Sequence, residues 1–270
     1  MIGPKRLVMV AACMLAFAGQ EAMAAKCGNN ASGFSRWLGQ FQKEATAAGI
    51  APKVVASALN GVTYDTRVIK LDRNQKHFKL SFEQFYATRA RPLESLARSK
   101  YKSNAALLKK IEARYGVPGE VVVAIWGLET SFGANIGNMS AIRSLATLAY
   151  DCRRSDFFTA ELMAALSILQ RGDMTSSQMI GAWAGELGQT QFLATSYVKF
   201  AVDFDGNGRR DLLRSSADAL ASTANYLKAY GWKKGQPYGP GTANYAVLAG
   251  WNKATVYQQT ISALAAKIRG

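Results

Sequence analysis

Residues 121–133 read VVVAIWGLETSFG, and this stretch decides how the chain folds. Seven of its first eight residues are apolar and would cover nearly every face of a helix. We therefore predict an α-helix that is buried on all sides. Pro118 suits the first turn of such a helix, with Gly119 and Glu120 following it, so we start the helix there.

Glu129 places a carboxyl group at the end of this apolar segment. A low dielectric and the negative end of the helix dipole both raise the pKa of a carboxyl group. A raised pKa suits a general acid that works near neutral pH. Alternatively, Glu129 caps the helix or forms an ion pair, for instance with Arg143.

The chain around this segment has a helical pattern. Phe34, Trp37, Leu38 and Phe41 follow the i, i+3, i+4, i+7 spacing of an amphipathic helix. Further helices are predicted at residues 155–170, 216–230 and 254–268. Strand-like alternation is scarce, and we find no internal repeat and no linker that would separate a second domain. These patterns predict one mainly α domain.

Residues 181–197 read GAWAGELGQTQFLATSY. The small residues allow the backbone to approach a ligand closely, and Gln189 and Gln191 offer donors and acceptors to hydroxyl or amide groups. This composition is typical of a sugar-binding site. A packed, glycine-rich turn without a ligand explains it as well.

Residues 203–211, DFDGNGRRD, place Asp203, Asp205 and Asn207 at alternate positions, as in the first half of a calcium-binding loop. Arg214 stands at the twelfth position, where a bidentate Glu is usual, so Asp218 is the candidate for the missing ligand. The same residues also suit a turn that binds no metal. His77 is the single histidine, so a zinc site or a histidine-based triad lacks residues.

The N-terminus is typical of a secretory signal peptide over residues 1–24. Lys5 and Arg6 precede an apolar run over residues 7–18, and a small-x-small site predicts cleavage after about Ala24. The run is about 12 residues long, whereas a bilayer span needs roughly 20. Lys26 argues against a lipid anchor on Cys27. We expect a soluble periplasmic protein without an integral membrane segment.

The net charge of +15 predicts attraction to a polyanion. Outside the cytoplasm this means a cell-wall polymer or a membrane surface more readily than nucleic acid, and no dense Lys/Arg run indicates nucleic-acid binding. Two cysteines, Cys27 and Cys152, remain after removal of the signal peptide. The oxidising compartment favours a disulfide between them, but the sequence alone leaves the pairing open.

Six stretches in this order resemble the lytic murein transglycosylase B family, also called family 3 lytic transglycosylases. The stretches are VAIWGLETSFG, LATLAYDCRRSDFF, GAWAGELGQTQF, YVKFAVDFDGNGRRDLL, DALASTANYLKAYGW and WNKATVY. The resemblance implies a mainly α, lysozyme-like (goose-type) catalytic domain with an inserted calcium-type loop and little β-structure. That domain would span residues 25–270, with a helical N-terminal part at about 33–115, a catalytic core at about 116–232 and a groove-closing segment at about 233–270.

Members of this family cleave the β-1,4 bond between N-acetylmuramic acid and N-acetylglucosamine in peptidoglycan without water. The resemblance implies that Glu129 acts first as general acid and then as base, which leaves a 1,6-anhydromuramic acid end. It implies no cofactor for the chemistry, a structural Ca²⁺ as an option, and a monomer that serves cell-wall machinery. The alternatives are a hydrolytic muramidase and a non-catalytic peptidoglycan-binding assembly factor.

Further site residues follow from the same resemblance. Asn252 would hold the N-acetyl group beside the cleaved bond, and Arg153 with Arg154 would either meet acidic groups of the substrate or form a solvated charge pair. The remaining groove residues are Gln189, Gln191, Tyr226, Trp251 and Tyr257. The calcium-type ligands are Asp203, Asp205, Asn207, the Arg209 carbonyl and Asp218.

Three residues depart from the family pattern. Ala182 replaces a serine found in some members, so one hydrogen bond to the sugar is expected to be missing. Trp251 replaces a tyrosine, which preserves stacking on a sugar face but changes the polar tip. Glu186 stands where an apolar residue is usual, and it is either a surface charge on the turn or a second acid close enough to perturb Glu129.

Overall fold

The computed structural model describes residues 26–74 and 80–270. In this part of the chain there are thirteen α-helices and two strands of two residues each. The predicted mainly α fold with little β-structure is therefore confirmed. The expected signal peptide at residues 1–24 and His77 lie outside the described residues.

The helices are α1 Phe34–Ala47, α2 Pro52–Leu59, α3 Thr66–Arg73, α4 Phe82–Phe85, α5 Glu94–Ser103, α6 Ala105–Tyr115, α7 Gly119–Thr130, α8 Ala141–Tyr150, α9 Ser155–Arg171, α10 Ala194–Phe200, α11 Ser216–Ala229, α12 Ala243–Trp251 and α13 Thr255–Arg269. The strands are β1 Met139–Ser140 and β2 Ile180–Gly181. A π-helical turn at Tyr86–Ala90 continues α4. The helices α9, α11 and α13 agree with the predicted ranges to within one residue at each end.

Helix α7 is the centre of the packing. Every residue of this helix is buried except Glu129, which keeps partial exposure. The helix packs against α5, α6, α11 and α13, as expected for an apolar segment without a polar face. Pro118 is the N-cap, one position before the first turn that the sequence suggested.

Helix α1 shows the stripe that its spacing predicts. Phe34, Trp37, Leu38 and Phe41 are all buried, and the Trp37 and Phe41 rings stack with their centroids 5.4 Å apart. Elsewhere α8 packs on α9, and α9 packs on α10. These helices form a second group beside the one built around α7.

The two short strands fix the glycine-rich turn. Met139 of β1 lies opposite Gly181 of β2 in an antiparallel pair. Gly137 precedes β1 with φ +97°, and a Cβ there would lie 2.1 Å from the carbonyl oxygen of Gly181. Only glycine allows this close approach. The pair therefore holds residues 181–188 against the chain that leaves α7.

A disulfide joins Cys27 to Cys152 across 125 residues of sequence. Beside it, the amide of Gly28 donates a hydrogen bond of 2.9 Å to the carbonyl oxygen of Tyr150. The pairing that the sequence left open is therefore formed in the structure. It ties the N-terminal arm to the corner between α8 and α9.

Across residues 26–74 and 80–270, no helix is both long enough and apolar enough to cross a membrane.

Candidate active site

The chain leaves α7 through a strained turn that sets the direction of Glu129. Ser131, Phe132 and Gly133 have φ values of +52°, +64° and +88°. Positive φ is costly for residues other than glycine and persists where the surroundings hold it. Here Thr130 holds the turn, because its Oγ1 accepts a hydrogen bond of 2.8 Å from the amide of Gly133.

The same hydroxyl group links α7 to the glycine-rich turn. Thr130 Oγ1 donates a hydrogen bond of 2.5 Å to the carbonyl oxygen of Gln189. Phe132 then folds back onto Trp126 with the ring centroids 5.4 Å apart. The carboxyl of Glu129 thus lies at the boundary between the core and the 181–192 segment.

Two donors hold the carboxyl group of Glu129, and both contact the same oxygen. Trp251 Nε1 donates to Oε1 at 2.9 Å, and Tyr257 Oη donates to Oε1 at 2.8 Å. Oε1 is therefore occupied as an acceptor. A proton on the carboxyl is expected on Oε2, where it can be given to a ligand.

Burial raises the pKa of Glu129 to about 7. The hydrogen bonds from Trp251 and Tyr257 oppose this rise, the charge of Glu186 adds to it, and Arg89 lowers the pKa. A carboxyl group with a pKa near 7 is half protonated at neutral pH, which suits a general acid.

Glu129 does not pair with Arg143. That guanidinium group donates to the carbonyl oxygens of Thr63 and Tyr64 and lies 3.6 Å from Asp65. The ion-pair alternative with Arg143 is therefore wrong. The sequence-based expectation of a buried acid with a raised pKa agrees with the geometry.

Glu129 opens into a cavity of about 310 Å³. The cavity brings together five residues that the sequence singled out for chemistry or sugar binding: Glu129, Gln191, Tyr226, Trp251 and Asn252. The other lining residues are Ala182, Glu186, Phe192, Leu193 and Ser196. Acids, amides and aromatic rings on one concave surface are suited to a carbohydrate.

Gln191 has a constrained backbone and one unoccupied amide atom. Its φ of +52° lies in the left-handed region, and its Nε2 donates to the carbonyl oxygens of Gly188 and Ile136 at 2.9 and 3.3 Å. No residue in the described part of the chain bonds its Oε1. That oxygen can accept from a sugar hydroxyl or amide.

Aromatic rings form one wall of the cavity. Trp251 meets Phe192 and Tyr226 edge-on, with ring centroids 5.5 and 5.1 Å away. Tyr226 stacks on Tyr230 at 4.4 Å, and its hydroxyl donates 2.8 Å to the carbonyl oxygen of Gly250. Because Trp251 uses its N–H on Glu129, the departure from tyrosine supplies a donor to the acid.

Asn252 follows α12, and hydrogen bonds to its side-chain oxygen and its backbone carbonyl hold it in place. Its Oδ1 accepts from the amide of Ala254 at 2.9 Å, and its carbonyl accepts from Gln258 Nε2 at 2.9 Å. The side-chain Nδ2 has no protein partner among residues 26–74 and 80–270. This N–H₂ group can donate to an acetamido oxygen.

Glu186 lies in the same cavity as Glu129. Of the two alternatives, the second acid fits the structure and the surface charge does not. Burial raises the pKa of Glu186 as well. The sequence could not decide this, because the direction of a turn side chain depends on the strands that hold the turn.

Two expected groove residues lie elsewhere. Tyr257 is buried behind Glu129 and contacts its carboxyl instead of lining the cavity. Gln189 is also buried, and its amide donates to the carbonyl oxygen of Leu213 at 3.1 Å and accepts from Ser216 at 3.2 Å. Both side chains support the site from behind the cavity lining. The expectation that they contact the substrate directly is therefore corrected.

Arg153 and Arg154 are not free for substrate either. Both guanidinium groups bond Asp72, with Arg153 Nε at 2.8 Å and Arg154 Nη2 at 2.5 Å. Burial by itself raises the pKa of Asp72, but the bonds from the two arginines outweigh it and hold the pKa below its usual range. The pair ties the start of α9 to α3, which neither sequence alternative anticipated.

Sequence reasoning missed three lining residues. Phe192, Leu193 and Ser196 all fall inside the stretch GAWAGELGQTQFLATSY. Their residue types carry no chemical signal beyond their proximity to Gln191, so only the folded turn reveals them.

The 203–211 loop has the form of a cation site. One carboxyl oxygen each of Asp203, Asp205 and Asp218 lie within 4.8 Å of one another. Asp203 also accepts from the amides of Gly206 and Gly208, each at 2.7 Å. Three carboxylates at this separation fit a hard divalent cation.

The other residues of this loop have different roles. Asn207 Oδ1 accepts from the amide of Arg209 at 2.9 Å. Arg214, at the twelfth position, pairs with Asp211 at 2.7 Å and is not a ligand. Asp218 of α11 lies beside the loop, and its two carboxylate oxygens accept from the amides of Phe204 and Asp211 at 2.7 and 2.8 Å.

Comparison with known proteins adds to this geometry. The family model described as "Transglycosylase SLT domain" matches residues 33–243 of the chain. The chain belongs to the transglycosylase SLT domain family. The match contains Glu129, the glycine-rich turn and the acidic loop, and it ends at the start of α12.

Relatives of this transglycosylase SLT domain are found in sequence and in structure. Membrane-bound lytic murein transglycosylase B of Escherichia coli (strain K12) is 40% identical over 122 residues, which are 45% of this chain. The match covers 34% of that relative, so the chain spans about a third of its length. SltB3 of Pseudomonas aeruginosa, solved with NAG-anhNAM-pentapeptide, has a TM-score of 0.82 and 34% identity, covering 88% of this chain and 80% of that one.

A more distant transglycosylase confirms the fold alone. The Escherichia coli lytic transglycosylase Slt35, solved in complex with calcium, has a TM-score of 0.76 at 22% identity. The superposition covers 93% of this chain and 97% of that chain. Most of the described helical architecture is thus shared with this distant transglycosylase.

Proposed function

We propose that this protein is a peptidoglycan lytic transglycosylase that cleaves the β-1,4 bond between N-acetylmuramic acid and N-acetylglucosamine. The observation that carries the proposal is the position of Glu129, a largely buried carboxyl at the edge of a sugar-sized cavity, where burial raises its pKa to about 7. The SltB3 structure with NAG-anhNAM-pentapeptide supports the substrate class, since that ligand contains an anhydro sugar.

The reaction uses Glu129 twice. Protonated Glu129 gives its Oε2 proton to the glycosidic oxygen, and the bond from that oxygen to C1 of the muramic acid breaks. The resulting carboxylate takes the proton of the C6 hydroxyl, whose oxygen attacks C1 and closes the 1,6-anhydro ring. No water is consumed, and Glu129 ends protonated as it began.

The surrounding residues have separate parts in this reaction. Trp251 and Tyr257 stabilise the carboxylate that forms midway, because both donate to Oε1. Asn252 and Gln191 would bind acetamido and hydroxyl groups, and Tyr226 with Trp251 would pack against a sugar face. The aromatic wall and the amides thereby position the sugar for attack by its own C6 hydroxyl.

Hydrolysis is the second candidate, and one observation favours it. Glu186 provides a second carboxyl in the cavity, and paired carboxylates are the usual equipment of glycoside hydrolases. A water held by Glu186 would give a reducing end in place of the anhydro ring.

Mass spectrometry of products from digested sacculi separates the two reactions. A lytic transglycosylase releases muropeptides with anhydro ends, which are lighter by one water than the reducing ends left by a hydrolase. We expect anhydro ends from the purified protein. Reducing ends alone would assign the protein as a muramidase, and binding without turnover would favour the non-catalytic assembly factor.

The acidic loop is proposed as a structural Ca²⁺ site formed by Asp203, Asp205 and Asp218, with Asn207 and the carbonyl of Arg209 as further ligands. A bound cation would neutralise three clustered carboxylates and fix the segment before α11. Thermal melting with chelator and then with added Ca²⁺ should show a rise in Tm on addition. The variant Asp205→Asn should abolish this rise, and an unresponsive wild type would refute the site.

The proposed location is the periplasm, after removal of residues 1–24. The Cys27–Cys152 disulfide supports it, because such bonds persist in oxidising compartments. N-terminal sequencing of the protein from a cell envelope fraction should give a chain that begins near Ala25.

A further inference from the structure

Glu186 has an unusual environment for a carboxylate on a turn. It lines the cavity that Glu129 opens into, and its Oε2 is buried with no hydrogen-bond partner in the described part of the chain. Leaving a buried carboxyl oxygen without a hydrogen-bond donor is unfavourable. A donor group on a molecule that enters the cavity can satisfy this oxygen.

The backbone leaves Glu186 little freedom to turn away. Its carbonyl accepts from the amide of Ala182 at 3.1 Å, and the neighbouring Leu187 exchanges two hydrogen bonds with Phe192, at 2.8 and 2.9 Å. Gly185 has φ +86°, and a Cβ there would lie 2.5 Å from Leu145. The turn is held on both sides of Glu186.

No cation in the described structure neutralises Glu186 by direct contact. Besides Glu186, the titratable or charged groups that affect the pKa of Glu129 are Tyr257 and Arg89. Those that affect the pKa of Glu186 are Glu161 and Arg154. Glu161 is bonded to Thr195 at 2.9 and 2.6 Å, and Arg154 is bonded to Asp72. Glu129 and Glu186 therefore line one cavity as two acids, and the charge of Glu186 opposes the ionisation of Glu129.

We propose that Glu186 is a second acid group of this site, which opposes the ionisation of Glu129 and accepts a hydrogen bond from the glycan bound between them. The proposal rests on the proposed function, since it assigns a role within that reaction. Glu186 acts on the chemistry through Glu129 and is in that respect a positioning residue. Its other role is to bind a hydroxyl or amide group of the sugar.

The physical reason is the repulsion between two carboxylates in a partly enclosed space. When Glu186 is ionised, a second negative charge on Glu129 is unfavourable, so Glu129 keeps its proton to higher pH. The high-pH limb of activity, on which Glu129 loses its proton, then lies higher than it would without Glu186. This matches the direction in which Glu186 affects the pKa of Glu129.

Two variants test the two roles. Glu186→Gln removes the charge but keeps an acceptor oxygen, and it should shift the high-pH limb of kcat/KM down by about 0.5–1 pH unit with little change in KM. Glu186→Ala also removes the acceptor, and it should raise KM for a defined peptidoglycan fragment about fivefold. Glu44→Gln on α1, outside the lining of the cavity, is the matched control and should leave both quantities unchanged.

A different result would contradict each of the two proposed roles of Glu186. A pH profile of Glu186→Gln that overlays the wild type would overturn the electrostatic role, and an unchanged KM in Glu186→Ala would overturn the sugar contact. Far-UV circular dichroism and melting curves show whether the variants fold, and Glu186→Gln keeps the shape of the side chain. A wild-type protein that releases no anhydro product would instead refute the proposed function, so the two failures are distinguishable.

Discussion

At the scale of single residues, the proposed chemistry depends on two opposing effects of the protein on the pKa of Glu129. Burial raises the pKa of the carboxyl to about 7, while Trp251 and Tyr257 favour the carboxylate. A general acid that later acts as base needs both influences, because neither charge state can be too stable. The two donors meet one oxygen, which leaves Oε2 for the proton.

Tyr257→Phe tests this balance. Loss of one donor destabilises the carboxylate, so the pKa of Glu129 should rise and the high-pH limb of activity should move to higher pH. A hydrogen bond to a charged group contributes about 1.5–3 kcal/mol, so kcat should fall roughly 10–100-fold. The pH–rate profile measures both effects. Tyr245→Phe, outside the cavity lining, is the control, and a shift of the limb to lower pH would contradict the assignment.

Glu129→Gln should change how stability depends on pH. The ordinary pKa of a glutamate, 4.5, applies to the unfolded chain, and burial raises the pKa of Glu129 to about 7 in the folded protein. The folded state therefore binds more protons between these values, and the free energy of unfolding of the wild type falls as pH rises through this window. Gln does not titrate, so the variant should gain about 1–3 kcal/mol relative to wild type between pH 4 and 8.

Urea unfolding at the two pH values measures this difference. A constant offset between Glu129→Gln and wild type would mean that the acid has an ordinary pKa in the folded protein.

The sequence indicated the acid, but it indicated neither the partner of Arg153 and Arg154 nor the orientation of Glu186. Glu129 could be predicted because the apolar residues that bury it are adjacent in the chain. Asp72, which takes up Arg153 and Arg154, lies about 80 residues away from them. The orientation of Glu186 similarly depends on distant strand pairing, and a local pattern carries no information about either contact.

At the scale of elements, α7 and the turn after it differ in how far they can be predicted. The helix follows from its own composition, since a segment with no polar face must be buried. The turn follows from Thr130, whose hydroxyl bonds both Gly133 and Gln189. The local sequence ETSFG does not predict this role of Thr130, because its second partner, Gln189, lies in another part of the chain.

Thr130→Val tests the turn. Valine has the shape of threonine but leaves a buried carbonyl and a partly buried amide unpaired, so the protein should lose about 2–4 kcal/mol of stability. Activity should also fall, because the same turn directs Glu129. Thr130→Ser keeps the hydroxyl and should retain most of both. Chemical denaturation measures the stability of each variant, and product release measures its activity. Equal losses in Thr130→Val and Thr130→Ser would show that the hydroxyl has no such role.

At the scale of the whole molecule, the mainly α architecture could be predicted because helical periodicity recurs from α1 to α13. The tie between the N-terminal arm and the α8–α9 corner could not, since cysteine count alone does not report distance. In the structure the Cys27–Cys152 bond closes a loop with a sequence separation of 125. Such a crosslink reduces the freedom of the unfolded chain.

The double variant Cys27→Ser/Cys152→Ser should lose stability. A closed loop of this length corresponds to roughly 5 kcal/mol in the chain-entropy treatment, so the midpoint of urea unfolding should fall. Addition of a reductant should lower the wild-type midpoint toward that of the double variant and leave the variant unaffected. A reductant-insensitive wild type would mean that the bond is absent in the folded protein.

The central claim is that one carboxyl, Glu129, performs the cleavage, and the release of anhydro-muropeptides from sacculi by wild type and Glu129→Gln tests it most directly. Loss of the acid should lower release by about 10²–10⁴-fold, while the variant still sediments with sacculi as the wild type does. Release of anhydro ends by Glu129→Gln at a rate close to that of wild type would contradict the account.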